Sequence, residues 1–358
     1  MTWLVVNDTH LGVQRAGGTT RDSAEALRVF LRERFSKLLA GHNRVVVNGD
    51  LFDTFEVPVS DMLETYVELS AWLSSGGERL HLLPGNHDLS KNSSNMSSFE
   101  LMARLLCMQY PQQVFYLQGG GWIDQDDGMY GISHVPNQDL FELEISRVPE
   151  GVRYLLLHVN VDNAFACLAD HSLNLSRAQA KSLTSRGITV VVGHEHQGRE
   201  ILSGRVVIPG NPFPSSVADC LPHGDAQRDG TKRALIIDGD SHRYITTWTP
   251  DDADGWYTEV DWKELADVEE EGRGFIRVVG DATVAESSDA IKAIATFRQR
   301  SKSFVVTNAV KVESLESLEE LAESIEDVRS VNVAEMLMEL LDPKEREVVQ
   351  SLFEKDEQ

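Results

Sequence analysis

The chain has 358 residues, of which 41% are hydrophobic and 25% are charged, the profile of a soluble globular protein with room for two or three domains. No apolar run approaches the roughly 20 residues that cross a bilayer, and no signal peptide is evident, so we expect a cytoplasmic protein with no membrane partner. The net charge of −24, from 33 basic and 57 acidic residues, argues against a protein that coats itself on nucleic acid.

Short apolar runs alternate with amphipathic stretches up to residue 249. The apolar runs predict buried strands and the amphipathic stretches predict helices. The predicted strands are 3–6, 45–47, 80–83, 154–157, 190–192, 205–208, 233–238 and 243–248, and the predicted helices are 23–39, 61–73 and 99–106. This alternation predicts an α/β domain of stacked helix and sheet layers over residues 1–249.

The polar, turn-forming residues 250–255 are the candidate linker to a second, smaller domain. Residues 256–314 predict an α/β domain with strands at 257–260, 275–279 and 304–312 and a helix at 286–300. Residues 315–358 predict a helical segment with two apolar stripes. The stripes consist of Val333, Met336, Leu337, Leu340 and Leu341, followed by Val348, Val349, Leu352 and Phe353. Such helices either pack on their own protein or dock on a partner helix.

The three cysteines, Cys107, Cys167 and Cys220, show no CxxC spacing. Their odd number and spacing predict neither a disulfide framework nor a thiolate metal site. We therefore expect reduced cysteines in the core.

Five polar motifs each directly follow a predicted strand. In chain order they are Asp8-Thr9-His10, Gly49-Asp50, Gly85-Asn86-His87-Asp88, His158 and Gly193-His194-Glu195-His196. Any one of these motifs is weak by itself, but five of them behind five strands indicate one site built at strand ends. Imidazole, carboxylate and amide groups together predict a centre for two divalent metal ions.

The ligands divide into two sets. Asp8, His10 and His196 would hold one ion, and Asn86, His158 and His194 would hold the other. Asp50 would bridge the two, because a carboxylate is the natural spacer between ions about 4 Å apart. A mixed nitrogen and oxygen set suits manganese, iron or zinc better than calcium, and we favour Mn²⁺. Glu195 would face away from the ions.

His87 is not needed to complete either set of ligands. An imidazole held over the substrate can contact a phosphoryl oxygen or protonate the leaving group, and a carboxylate would fix its tautomer. Asp53 is the candidate for that carboxylate, and Asp88 is the alternative.

These motifs resemble those of the calcineurin-like metallophosphoesterase superfamily. More narrowly, Leu11-Gly12, Gly49-Asp50-Leu51-Phe52-Asp53 and Pro209-Gly210-Asn211-Pro212 resemble the SbcD-type nuclease subunits of SbcCD double-strand-break repair complexes and their bacteriophage recombination-endonuclease relatives. The resemblance implies a four-layer α/β/β/α sandwich followed by a capping domain and a C-terminal segment that docks on an SbcC-type coiled-coil ATPase. It also implies that Asp50 bridges the metals and that His87 is catalytic and not a ligand.

The leading hypothesis is therefore a manganese-dependent DNA exonuclease and endonuclease that acts in DNA repair and recombination. A small-molecule phosphodiesterase or a phosphoprotein phosphatase could use the same centre. A third hypothesis is an inactive scaffold for the ATPase. The sequence leaves homodimer formation open.

Overall fold

A computed structural model describes residues 2–13, 20–89, 95–163, 172–223, 229–270 and 272–312. Cys167 and both predicted C-terminal helices lie outside these residues, whereas Cys107 and Cys220 are free thiols. The chain divides into two compact units, residues 1–280 with 291–309 and residues 281–290 with 310–358. Among the described residues, no helix is both long and apolar enough to cross a membrane.

The helices are α1 (Arg21–Ala40), α2 (Val59–Ser74), α3 (Ser98–Gln109), α4 (Gln138–Ser146), α5 (Arg177–Ser185), α6 (Val217–Cys220) and α7 (Ser287–Arg300). The strands are β1 (Thr2–Val6), β2 (Arg44–Asn48), β3 (Arg79–Leu83), β4 (Val114–Tyr116), β5 (Gly120–Asp124), β6 (Met129–Ile132), β7 (Tyr154–His158), β8 (Asn160–Val161), β9 (Asn174–Leu175), β10 (Thr189–Gly193), β11 (Arg199–Ile201), β12 (Val206–Ile208), β13 (Lys232–Asp238), β14 (Ser241–Trp248), β15 (Trp256–Asp261), β16 (Gly274–Val279), β17 (Asp281–Ala282), β18 (Val305–Asn308) and β19 (Lys311–Val312). A short 3₁₀ helix, Leu265–Asp267, follows β15.

Two six-stranded sheets form the centre of the first unit. Their strand orders are β14-β13-β1-β2-β3-β4 and β11-β12-β10-β7-β6-β5. Strands β1 to β4 are parallel to one another, as are β6, β7, β10 and β12, whereas β13, β14, β11 and β5 run antiparallel to their neighbours. The central strands are therefore almost continuously apolar, because both of their faces are buried.

Alternation along each central strand separates the core into three apolar layers. In β1, Leu4 and Val6 belong to the cluster that includes residues of α1, α2 and α3, whereas Val5 packs between the two sheets with Leu156 of β7. The opposite face of the second sheet packs against α4 and α5, where Phe141 is buried. Three apolar layers separate four structural layers, so the predicted α/β/β/α sandwich is confirmed.

Beyond the sandwich, β15, β16 and β18 form a three-stranded parallel sheet. The predicted linker at 250–255 is tied to α1, since the Arg34 guanidinium donates to the Asp252 carboxylate at 2.8 and 3.0 Å. The single strand predicted over 304–312 is wrong: β18 ends at Asn308, and β19 pairs with β17 in the second unit. The predicted domain boundaries at 249, 256 and 314 stay predictions.

His81 is a buried polar residue in the apolar layer between the sheets. Its ring stacks on Phe115 at 4.8 Å and meets the edge of Trp3 at 5.5 Å. Neither ring nitrogen has a hydrogen-bond partner among the described residues. Burial, aided by the charge of Arg79, lowers the pKa of His81 to about 3, so the folded chain keeps this imidazole neutral.

We predict that His81→Phe makes folding less sensitive to acid. Below pH 6.5 the unfolded chain protonates this imidazole while the folded chain does not, so wild-type stability falls as pH falls from about 6.5 toward 3. Over that window, His81 alone should lower the free energy of unfolding by about 1.4 kcal/mol for each pH unit of acidification. The variant should not show this part of the pH dependence. Denaturant unfolding of both metal-free proteins at pH 7 and pH 5.5 measures the difference. Equal losses in the two proteins would contradict the assignment.

Candidate metal centre

The carboxyl ends of the parallel strands bring the predicted site residues to one edge of the sandwich. Asp8, Asp50 and Asn86 follow β1, β2 and β3 of the first sheet. His158 is the last residue of β7, and His194 directly follows β10, which is the neighbouring parallel strand of the second sheet. Because the two sheets face each other, the motifs meet across the gap between them.

The first cluster contains Asp8, His10 and His196, whose ligand atoms all lie within 4.8 Å of one another. Nε2 of His10 is 2.8 Å from Nε2 of His196. Asp8 is buried, and both of its carboxylate oxygens accept from the backbone N–H of His194, at 3.0 and 3.1 Å. Two imidazole nitrogens and a buried carboxylate therefore converge on one point, as the ligands of a bound cation do.

The second cluster contains Asp50, His158 and His194, and the Asn86 amide joins it. The Asn86 Oδ1 atom lies 3.2 Å from Nε2 of His158 and 3.0 Å from Nδ1 of His194. Nδ1 of His158 lies 3.0 Å from the backbone oxygen of Asn48. Since that carbonyl can only accept, it places a proton on Nδ1 and points Nε2 into the cluster.

Asp50, which was predicted to bridge the two ions, belongs to the second cluster. One carboxylate oxygen accepts from the His87 backbone N–H at 3.0 Å, and the other lies 3.2 Å from Nε2 of His158. Burial alone would raise the pKa of Asp50, but the charges of His158, His87 and His10 hold it well below its usual range. Burial likewise opposes protonation of His158, yet Asp50 and Asp8 raise its pKa to about 10. In the metal-free chain a proton on His158 thus balances these carboxylates, and a divalent cation would replace it.

Backbone strain is concentrated at these same residues. Asp8, His10 and Asp50 have φ values of 51°, 47° and 49°, and His194 has 89°. Residues with a Cβ rarely occupy this region, and each such position costs about 1–3 kcal/mol. The surrounding sheets hold all four in a conformation that the isolated segments would avoid.

Three glycines leave the room that the clusters require. A Cβ on Gly49 would lie 1.9 Å from Nδ1 of His158, and one on Gly193 would lie 2.7 Å from the backbone oxygen of Asn48. A Cβ on Gly85 would lie 2.1 Å from Oδ1 of Asp50 and 2.6 Å from its backbone nitrogen. The glycines that precede Asp50, Asn86 and His194 in the sequence are thus packing requirements of the site.

The structure corrects the predicted partner of His87. Nδ1 of His87 bonds to the backbone oxygen of Asp53 at 2.5 Å, whereas the Asp53 carboxylate lies 3.5 Å from Nδ1 of His10. The tautomer of His87 is therefore fixed by a carbonyl, because the turn after β2 directs the side chain of Asp53 toward His10. Nε2 of His87 lies 4.0 Å from Asp50, and 29% of its side chain is exposed.

Asp88, the alternative partner of His87, accepts hydrogen bonds from the backbone instead. Its fully buried carboxylate accepts from the N–H groups of Gly85, Leu51 and Phe52, at 3.0 to 3.3 Å. It therefore joins the turn after β3 to the turn after β2, which carries Asp50.

Glu195, which was expected to face away from the ions, has partners of its own in the protein. Its carboxylate pairs with Arg199 at 2.7 and 2.8 Å and accepts from the backbone N–H of Val161. These contacts hold the turn on which His194 and His196 lie.

Sequence reasoning missed Asp219. Its Oδ1 lies 3.0 Å from Nδ1 of His196, and its Oδ2 accepts from the backbone and hydroxyl groups of Ser215 and Ser216 at 2.9 to 3.0 Å. Burial lowers the pKa of His196, but the bond to Asp219 outweighs it and raises that pKa. The capping box of Ser216 and Asp219 at α6 was the available signal.

The sequence profile of calcineurin-like phosphoesterases matches residues 1–198, which contain all seven predicted ligands. The chain belongs to this family. It is accordingly a hydrolase of phosphoester bonds, and its histidine and aspartate clusters suggest divalent metal ions. The residues present fit such ions, because two imidazole nitrogens face each other at 2.8 Å beside buried carboxylates.

A crystal structure described as a cold-active protein-tyrosine phosphatase of the psychrophile Shewanella sp. is also similar. It is 12% identical, with 69% of this chain and 80% of that chain covered, at a TM-score of 0.33. A search of the curated proteins found no match.

We predict that Gly85→Ala impairs metal binding. The added Cβ would press on both the carboxylate and the backbone of Asp50, and a clash with backbone cannot be relieved by a side-chain rotation. The affinity for at least one of the two Mn²⁺ ions should fall by about tenfold or more, as it does when the groups that orient metal ligands are disturbed. Isothermal titration calorimetry with Mn²⁺ measures both affinities.

Gly41→Ala is the matched control, since a Cβ at Gly41 meets nothing within 4 Å. It should bind Mn²⁺ as the wild type does. Unchanged Mn²⁺ affinity in Gly85→Ala would contradict the described packing.

Proposed function

We propose that this phosphoesterase is a two-metal DNA nuclease that acts in break processing or recombination. The observation that carries the proposal is the meeting of Asp8, His10, Asp50 and their partners at one edge of the sandwich. The residues of the narrower resemblance lie beside that centre. Leu11 accepts from the backbone N–H of Asp53 and donates to the oxygen of Leu51, so the first two motifs are held together.

The segment from Pro209 to Pro212 supports the same centre from the other side. The backbone N–H of Asn211 donates to the oxygen of His196 at 3.2 Å. A Cβ on Gly210, whose φ is 82°, would lie 2.7 Å from that oxygen. Only a glycine lets this segment approach the turn that carries His196 so closely.

His87 is the proposed catalytic residue. Because Nδ1 faces the Asp53 carbonyl, Nε2 is directed to the partly exposed side of the centre near Asp50. From there His87 can donate a hydrogen bond to a phosphoryl oxygen or give a proton to the leaving alkoxide. Bound divalent ions, for which we favour Mn²⁺, would polarise the phosphate and activate a water molecule.

DNA as the substrate has to be reconciled with a net charge of −24. Two divalent ions would offset the carboxylates at the centre, so that the local potential could favour a phosphate. We propose that the remaining contacts to DNA come with an SbcC-type ATPase. The apolar stripes proposed to dock on this ATPase, from Val333 to Phe353, lie outside the described residues. The cytoplasmic location of the protein also stays a prediction.

The test compares substrates in the presence of Mn²⁺. The purified protein should degrade linear duplex DNA faster than it hydrolyses cyclic nucleotides or phosphopeptides. A preference for either small substrate would replace the nuclease by a phosphodiesterase or a phosphatase, and inactivity on all three would favour a scaffold.

We predict that His87→Ala lowers DNA cleavage by about 100-fold or more, the scale of general acid–base catalysis. It should still bind two Mn²⁺ per chain in isothermal titration, because the other seven side chains make up the two clusters. His42→Ala is the control, because His42 precedes β2 and so lies at the opposite end of that strand from Asp50, and it should cleave as the wild type does. Loss of an ion in His87→Ala would instead make His87 a ligand.

A further inference from the structure

Lys232 is a fully buried cationic side chain close to the metal centre. It is the first residue of β13 and has no exposed surface. Its Nζ donates to the backbone oxygen of His196 at 3.2 Å, which is its one hydrogen bond to the described part of the chain. A buried amine costs free energy that a methionine of similar shape would avoid, and attraction to the Asp219 carboxylate offsets part of that cost.

The contact of Lys232 completes a set that fixes His196 at both ends. The carbonyl of His196 accepts from Lys232 and from the backbone of Asn211, while Nδ1 of its ring bonds to Asp219. With the backbone and Nδ1 both held, Nε2 is left facing Nε2 of His10 at 2.8 Å. A small rotation of this turn would separate the two nitrogens.

We propose that Lys232 is a positioning residue for metal binding, which holds the turn of His196 so that its imidazole faces His10 before an ion arrives. This inference rests on the proposed metal site. It gives the buried amine a benefit in metal affinity, beyond its attraction to the Asp219 carboxylate in the metal-free fold.

An electrostatic role predicts the opposite sign. A positive charge beside the turn of His196 repels a divalent cation, so removal of that charge alone would tighten metal binding. Loss of positioning would instead weaken metal binding by about 10- to 100-fold, as happens when residues that orient metal ligands are removed. The direction of the change therefore separates the two roles.

The experiment titrates metal-free wild type, Lys232→Met and Lys37→Met with Mn²⁺ in a calorimeter and measures the thermal unfolding of each metal-free protein. Lys37 lies on the exposed side of α1, so Lys37→Met removes the same charge far from the turn. We expect Lys232→Met to weaken one of the two ions by about tenfold or more. The affinity of Lys232→Met for the other ion and its metal-free Tm should stay near the wild-type values. Lys37→Met should bind both ions with wild-type affinity.

Unchanged or tighter binding by Lys232→Met would overturn the inference, and so would weaker binding that only accompanies a lowered metal-free Tm. Should Lys232→Met not fold, Lys232→Leu, which is also neutral and has no side-chain donor, is judged by the same criteria. If the wild type itself binds fewer than two ions, the proposed metal centre fails. If the wild type binds two and Lys232→Met matches it, only the role of Lys232 fails.

Discussion

Parallel strands that end at the same edge of two facing sheets are the constraint on which this site depends. Each strand delivers its polar residues within a few residues of its carboxyl end. Pairing of β1 with β2 and of β7 with β10 then fixes which side chains meet. Neither sheet alone carries a complete set, since Asp8, Asp50 and Asn86 come from one and His158 and His194 from the other. The apolar layer between the sheets therefore has to form before the centre can exist.

The buried charges and backbone strain of this centre lower the stability of the metal-free fold. Asp8, Asp50 and His158 are buried, and Asp8 and Asp50 also have positive φ values. Hydrogen bonds from the backbone offset part of the cost: His194 donates to Asp8, His87 to Asp50, and the Asn48 carbonyl holds His158. The remaining imbalance between carboxylates and imidazoles is what a divalent cation would relieve. Strain and buried charge of this kind are found where a protein binds or catalyses.

Much of this arrangement could be predicted from the sequence, because the periodicity of apolar residues indicates the strands and the polar motifs directly follow them. Continuous apolar runs such as 45–47 mark strands buried on both faces, and the Gly-Asp pair after that run marks a tight turn into a site. The family follows from the same motifs. Asn86 and His158 were placed by this reasoning alone, and the structure brings them within 3.2 Å of each other.

Other features depend on the path of the chain in three dimensions. Asp53 was expected to orient His87 through its carboxylate, but the turn presents the carbonyl instead. Asp219 lies 23 residues beyond His196, and its capping box marks the start of a helix without linking it to His196. Lys232 begins a strand, where a lysine is normally solvated, so its burial could not be anticipated. The C-terminal stripes remain predictions from helical spacing.

A crystal structure with Mn²⁺ bound, with the ions located by their anomalous scattering, tests the central claim most directly. It should show two ions at the edge where the strands end. One should contact Asp8, His10 and His196, the other Asn86, His158 and His194, with Asp50 touching both and His87 touching neither. A single ion, or two ions held by other side chains, would contradict the account.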